Sequence, residues 1–334
     1  MKQIPLNSGT LSLPSCWEDL TFIQKIYVFG KLKEVFEERM SPVVFRLQVL
    51  QYLTGYKPKT GILSFVLLYT WYLFRILFVA PYYYLRLGKV RFPLYFSVWR
   101  NHNRPKHYDR EIINYNLFKL SELIDFAFTL TDRSVEWNRV FSDNPFPYLK
   151  IKGQKFNGRR FKRGIAPFTN ITAREFSDCF DLFRGWQTAD EASREAIGDK
   201  IISILYPATN NYRENMVSDH IDLIHITHSQ IKFGILYWFS GIVDFYISHP
   251  YYSLLFRSPG NSEETGEKIS LGMNELILMI QKNGYNPNDT VNDFFDAQLK
   301  IMKDNLSSAI AAGVSMDALS SKTGLRISEI DKLI

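Results

Sequence analysis

The apolar positions of this chain recur mostly three and four residues apart, the spacing of helices with one buried face. Thr21-Phe22-Ile23-Gln24 has the Thr-x-x-Gln form of a capping box, and Ile23, Ile26, Tyr27 and Phe29 continue from it at helical spacing. Pro42 at a first-turn position and Gly55 at the far end bracket a second helix through Phe45, Leu47, Val49, Leu50 and Leu53. Asn116 to Thr131 is periodic and apolar and predicts a helix, and Asp143-Asn144-Pro145-Phe146-Pro147 is a break. A second capping box, Thr172-Ala173-Arg174-Glu175, opens a helix carrying Phe176, Cys179, Phe180 and Phe183. Further helices are expected from Glu191 to Tyr206, stopped by Pro207, and from Met216 to Ile247, stopped by Pro250. Two more are expected around Leu271 to Gln281 and Thr290 to Ala311.

The period changes to two in one place. Tyr148-Leu149-Lys150-Ile151-Lys152, Gly153-Gln154 and Lys155-Phe156 alternate around a glycine-containing turn, which predicts a small hairpin. Residues 1–15 are rich in Pro, Ser and Gly without a period and read as an extended lead-in, 100–110 as a loop, and 258–270 as a linker. The expected fold class is therefore mainly α: a multi-helix bundle with a small β-hairpin and a short helical C-terminal unit. The expected organisation is an N-terminal helical region (1–99), a hairpin plus helical domain (111–257) and a C-terminal helical unit (271–334).

Ile62 to Ala80 is the most apolar run and is long enough to cross a bilayer. Arg75 inside it would cost roughly 2 to 3 kcal/mol on insertion scales, so a buried or interface-covering helix is the first reading and a membrane anchor the alternative. Across the 334 residues, 46% hydrophobic and 22% charged composition excludes bulk disorder. The aromatic share of 15% supplies ring surface suited to contacts with partners. Cys16 and Cys179 are too few and too far apart for a disulfide framework, and Met1 to Asn7 lack the apolar core of a secretory signal. The expected location is the cytoplasm of a host cell, or a virion.

Catalytic signatures are missing: there is no Gly-rich phosphate loop, His-Glu-x-x-His, Gly-x-Ser-x-Gly or Cys-x-x-Cys. A non-enzymatic protein without cofactor or metal is expected. The nearest approach to a metal or acid/base site is Asp219 to His228, where Asp222 and His225, and His225 and His228, stand three apart on a helix. Asp222 and His228 are six apart and do not share a face, so hydrogen-bonded or solvated histidines are the simpler reading.

The net charge of +6 matters only if it is clustered, and one cluster exists. Lys150, Lys152, Lys155, Arg159, Arg160, Lys162 and Arg163 follow one another with no acid between them. They suit nucleic-acid phosphates, with Phe156 and Phe161 as stacking faces, or equally an acidic protein. Ser315 to Ile334 resembles a helix-turn-helix, with Leu319, Ile330 and Leu333 at the helix contact, small Ser320 permitting close approach and Gly324 at the turn. Its last helix carries Glu329 and Asp331 beside Arg326 and Lys332, which favours a plain helical hairpin over a DNA reader.

Trp17-Glu18-Asp19-Leu20-Thr21-Phe22-Ile23-Gln24 resembles the start of small assembly proteins encoded among the tail genes of tailed bacteriophages and prophages. Asn144 to Ile151, Asn170 to Phe176 and Asp199 to Pro207, in that order, are similar to proteins encoded between the tail tube and tape measure genes. The resemblance implies a tail assembly chaperone or virion accessory protein that binds tail or tape-measure-like components. Trp17, Tyr27, Phe176 and Phe180 are candidate partner contacts alongside the basic hairpin. The length, the Ile62 to Ala80 run and the helix-turn-helix-like end depart from that family.

Overall fold

A computed structural model describes residues 1–6, 9–55, 115–131, 134–164, 167–208, 220–256, 286, 288–323 and 325–334. The expectations for Ile62 to Ala80, 100–110, 258–270, Leu271 to Gln281, Asp219 and Gly324 fall outside these residues. The protein is mainly α, with small two-stranded sheets. Its residues form two compact units, Met1–Ser15 with Glu34–Phe126, and Cys16–Lys33 with Ala127–Ile334.

The first unit contains the antiparallel hairpin of β1 (Lys2–Leu6) and β2 (Gly9–Leu13). The sequence pattern reads this stretch as a lead-in, because short alternation broken by Pro5 and Gly9 carries little period. Lys2 Nζ lies 2.6 Å from Asp125 Oδ1 and fastens the strand. Helix α2 (Pro42–Thr54) matches its predicted limits for the expected reasons. Ser41 Oγ accepts from Val44 N, Pro42 occupies the first turn, and Gly55 closes the helix at φ 65°, where a side chain would strain the backbone. Residues 115–121 are helical.

The second unit holds most of α1 (Phe22–Phe36). Its predicted capping box forms, with Thr21 N donating to Gln24 Oε1 at 2.8 Å and Gln24 N to Thr21 Oγ1. The expected helix over Asn116 to Thr131 ends early, and Phe128–Leu130 is instead strand β3, paired with β4 (Val135–Trp137). The Phe128 and Trp137 rings meet edge-on at 5.3 Å, a cross-strand pair that outweighs the local period. Strands β5 (Tyr148–Ile151) and β6 (Gln154–Asn157) form the predicted hairpin, followed by β7 (Phe161–Lys162) with β8 (Phe168–Thr169).

Helix α3 (Ala173–Thr188) starts at the predicted reciprocal box, with Glu175 N donating to Thr172 Oγ1 and Thr172 N to Glu175 Oε2. It packs on α4 (Glu191–Leu205). The expected helix from Met216 to Ile247 is broken within its described part into α5 (Ile221–His225) and α6 (Ser229–Ser248). Contacts to α4 fix α5. His220 Nε2 lies 3.1 Å from the Ser203 carbonyl and 3.2 Å from that of Tyr206, and the ring stacks on Phe156. Helix α6 is apolar around nearly its whole circumference and runs through the core. Trp17 stacks on Phe29 at 4.9 Å and on Phe141 at 5.0 Å at one part of this core. Phe176 meets Phe239, Tyr246 and Phe295 at another. Gly234 lets Phe29 and Phe146 approach α6, since a Cβ there would lie 2.7 Å from both rings.

Helices α7 (Val291–Ala311), α8 (Met316–Thr323) and α9 (Ile327–Leu333) end the chain. Leu306, Leu319, Leu325 and Ile330 share a cluster with Leu254, and Leu333 packs against it. The Ser320 hydroxyl, on α8, donates to the Leu325 carbonyl at 2.7 Å, just before α9.

Candidate functional site

The β5–β6 hairpin separates its residues cleanly. Leu149, Ile151 and Phe156 are buried, while Tyr148, Lys150, Lys152, Lys155 and Asn157 are exposed. Lys150 sits directly opposite Lys155 in the ladder, a like-charge pair that works against pairing. Lys152 and Gly153 form the turn at φ 47° and φ 84°. A two-residue turn with both angles positive is the primed type that suits Asn-Gly or Gly-Gly, and an ordinary L-residue there costs roughly 1–2 kcal/mol. The hairpin thus departs from local preference twice, and each departure places a lysine in solvent. Lys155 Nζ also stands 4.8 Å above the Tyr148 ring.

The seven basic residues of the cluster divide by type. Lys150, Lys152, Lys155 and Lys162 are exposed, and none makes an ion pair among the described residues. The three arginines are built into the fold. Arg159 Nε donates to Glu175 Oε1 at 3.1 Å, joining the hairpin segment to α3. Burial raises the Glu175 carboxyl above its usual range, and the Arg159 guanidinium opposes that shift. Arg160 pairs with Asp143. Arg163 donates to the carbonyls of Arg139 and Gly241 and lies over Phe245. A planar, multidentate guanidinium suits pairing with carboxylates and carbonyls and a flexible ammonium suits a solvated surface, which is the physical reason for the split.

The aromatic candidates lie elsewhere. Trp17 is 1% and Phe176 0% exposed, so both are core residues, and Tyr27 and Phe180 are half-buried. The Phe180 ring stacks on Phe176 at 6.0 Å. Phe156 and Phe161 are buried too, leaving Tyr148 as the exposed ring of the hairpin and no run of stacking faces there for bases.

The histidine segment disperses. Asp222, His225 and His228 are exposed, and His225 Nδ1 reaches across to Asp199 Oδ2 at 2.8 Å. Glu195, Asp199 and His225 bring ligand-type atoms within 4.8 Å of one another. Lys232 Nζ lies 2.7 Å from Asp199 Oδ1 and 3.4 Å from Glu195 Oε1, so an ammonium already supplies the positive charge. The side chains of Asp199 and Lys232 are 3% and 9% exposed, a buried pair that ties α4 to α6. Sequence reasoning overlooked this pair, whose only signal is a charged residue on each of two otherwise apolar helix faces.

On α9, Arg326 and Lys332 stand beside Glu329 and Asp331, a balanced surface. The chain matches no protein-family model, no curated protein and no solved structure. No described helix is long and apolar enough to cross a membrane.

Proposed function

We propose that this chain is a non-enzymatic binding protein that docks an acidic surface of a protein partner through the lysine hairpin Tyr148–Asn157. One observation carries the reading: Lys150, Lys152 and Lys155 occupy positions where lysine opposes the hairpin's own stability. Departures from local preference concentrate at functional sites, and the contact of Lys155 with the Tyr148 ring leaves that lysine exposed. An acidic protein is favoured over single-stranded nucleic acid because the rings expected to stack on bases are interior.

The setting is the one implied by the sequence resemblance, tail morphogenesis in a phage or prophage, acting in the host cytoplasm or carried in the virion. Co-expression of the chain with tail and tape-measure-like proteins, followed by pull-down at low and high salt, tests the reading. Retention at low salt, released by salt and lost in a Lys150→Gln/Lys152→Gln/Lys155→Gln variant, is the expected result. Equal retention by that variant would overturn it.

A further inference from the structure

Apart from the hairpin, β8, the 3-10 turn Tyr252–Phe256 and the first turns of α7 enclose a cleft of about 570 Å³. That volume lies within the range of small-ligand sites. Its walls carry Phe168 and Tyr251, which are 55% and 60% exposed, together with His249 and Tyr252. The His249 and Tyr252 rings stack at 4.5 Å, and the Tyr252 hydroxyl donates to Asp296 Oδ1 at 3.0 Å. Asp293 joins the lining and accepts the Thr290 hydroxyl at 2.6 Å.

Among the described residues the lining contains two carboxylates and no lysine or arginine. His249 adds no positive charge at neutral pH, because desolvation lowers its pKa while Asp296 opposes the shift. Its Nδ1 accepts from the backbone N–H groups of Tyr251 and Tyr252. The N-terminus of α7 does not invite an anion, since Thr290 Oγ1 accepts from Asp293 N and Asp293 adds negative charge in the first turn. Carboxylates beside open aromatic faces attract a cation that is itself partly apolar.

We infer that this cleft binds an organic cation of the guanidinium or alkylammonium class, its head held by Asp293 and Asp296 and its stem laid against Phe168 and Tyr251. The site is independent of the lysine hairpin. Calorimetric titration of the full chain with butylguanidine, with Nα-acetyl-arginine methylamide and with neutral butylurea tests it. Saturable binding of the guanidinium probes is expected, with butylurea and the Asp296→Asn variant weaker by about tenfold or more, the scale of a lost charge-assisted hydrogen bond. Tighter binding of the arginine derivative than of butylguanidine would assign the cation to a protein side chain, and the reverse order to a free small molecule. Tyr251→Ala, at an exposed position, is expected to weaken binding several-fold without disturbing the fold. Equal binding of butylurea, undiminished affinity in a folded Asp296→Asn protein, or no saturable binding of either guanidinium would overturn the inference.

Discussion

Replacing Lys152 by Asn separates the stability of the hairpin from its binding role. Lys152 holds φ 47° beside Gly153 at φ 84°, and asparagine tolerates this region because its short side chain bonds locally. Of the roughly 1–2 kcal/mol that the left-handed conformation costs an ordinary residue, about half should be relieved, a gain of about 0.5–1 kcal/mol. At roughly 2–4 °C per kcal/mol for a domain of 150–250 residues, Tm should rise by about 1–4 °C. The same change removes one solvated ammonium. Exposed ion pairs contribute about 0.2–1 kcal/mol, so affinity for an acidic partner should fall roughly 1.4- to 5-fold at low salt. Scanning calorimetry and fluorescence polarisation with labelled poly-L-glutamate measure the two effects on the same preparations. A lower Tm would refute the strain argument, and a higher Tm with unchanged affinity would refute the assignment of Lys152 to binding.

Four further outcomes follow from the packing. Gly241→Ala should destabilise by at least about 1–3 kcal/mol in urea unfolding, because the new Cβ collides with the Arg139 carbonyl oxygen, which cannot swing aside as a side-chain tip would. Glu175→Ala should cost about 3–5 kcal/mol, since it strands the largely buried Arg159 and removes half of the α3 capping box. Arg159→Met combined with Glu175→Leu should lose less than Glu175→Ala alone, which a double-mutant comparison of urea midpoints reads directly. For His249, burial holds the folded-state pKa below its ordinary 6.5, so the unfolded chain takes up the proton first as pH falls. Its contribution to stability is therefore present above about pH 6.5 and lost as the pH falls through the lowered folded pKa, with Asp296 countering the loss and Asp293, Tyr251 and Tyr252 also facing the cleft. The urea midpoint of wild type relative to His249→Gln, followed from pH 7.5 to pH 5, should decline with acidification.

The elements legible in the sequence are those whose ends are written locally. Thr21 with Gln24, Ser41 with Pro42 and Gly55, and Thr172 with Glu175 fix three helices by short-range hydrogen bonds and backbone preference, and alternation around Gly153 fixes the hairpin. Phe128–Leu130 was not legible as a strand, because its local period is helical and its pairing with Val135–Trp137 is marked by a ring contact across the strands. The break between α5 and α6 was hidden as well, since the local period runs through it and the contacts that hold α5 come from His220 and His225 reaching Ser203, Tyr206 and Asp199, which are distant in sequence. At the candidate site, the basic cluster was visible as charge. Its division into arginines paired within the fold and lysines left to solvent depends on Glu175, Asp143 and the Gly241 carbonyl, which the sequence does not show to be adjacent. The cleft at His249 draws on segments more than a hundred residues apart, and no spacing announces it.

The proposed docking role belongs to three lysines held outward at a cost to the hairpin. Its most direct measurement is the affinity for labelled poly-L-glutamate over a range of salt concentrations, for wild type, for Lys150→Gln/Lys152→Gln/Lys155→Gln, and for the charge-matched control Lys200→Gln/Lys303→Gln/Lys322→Gln at exposed positions elsewhere. Salt-sensitive binding that the control keeps and the hairpin variant loses is the predicted result. Equal weakening in both variants would show that net charge alone is read, and would contradict the assignment of the hairpin as the docking surface.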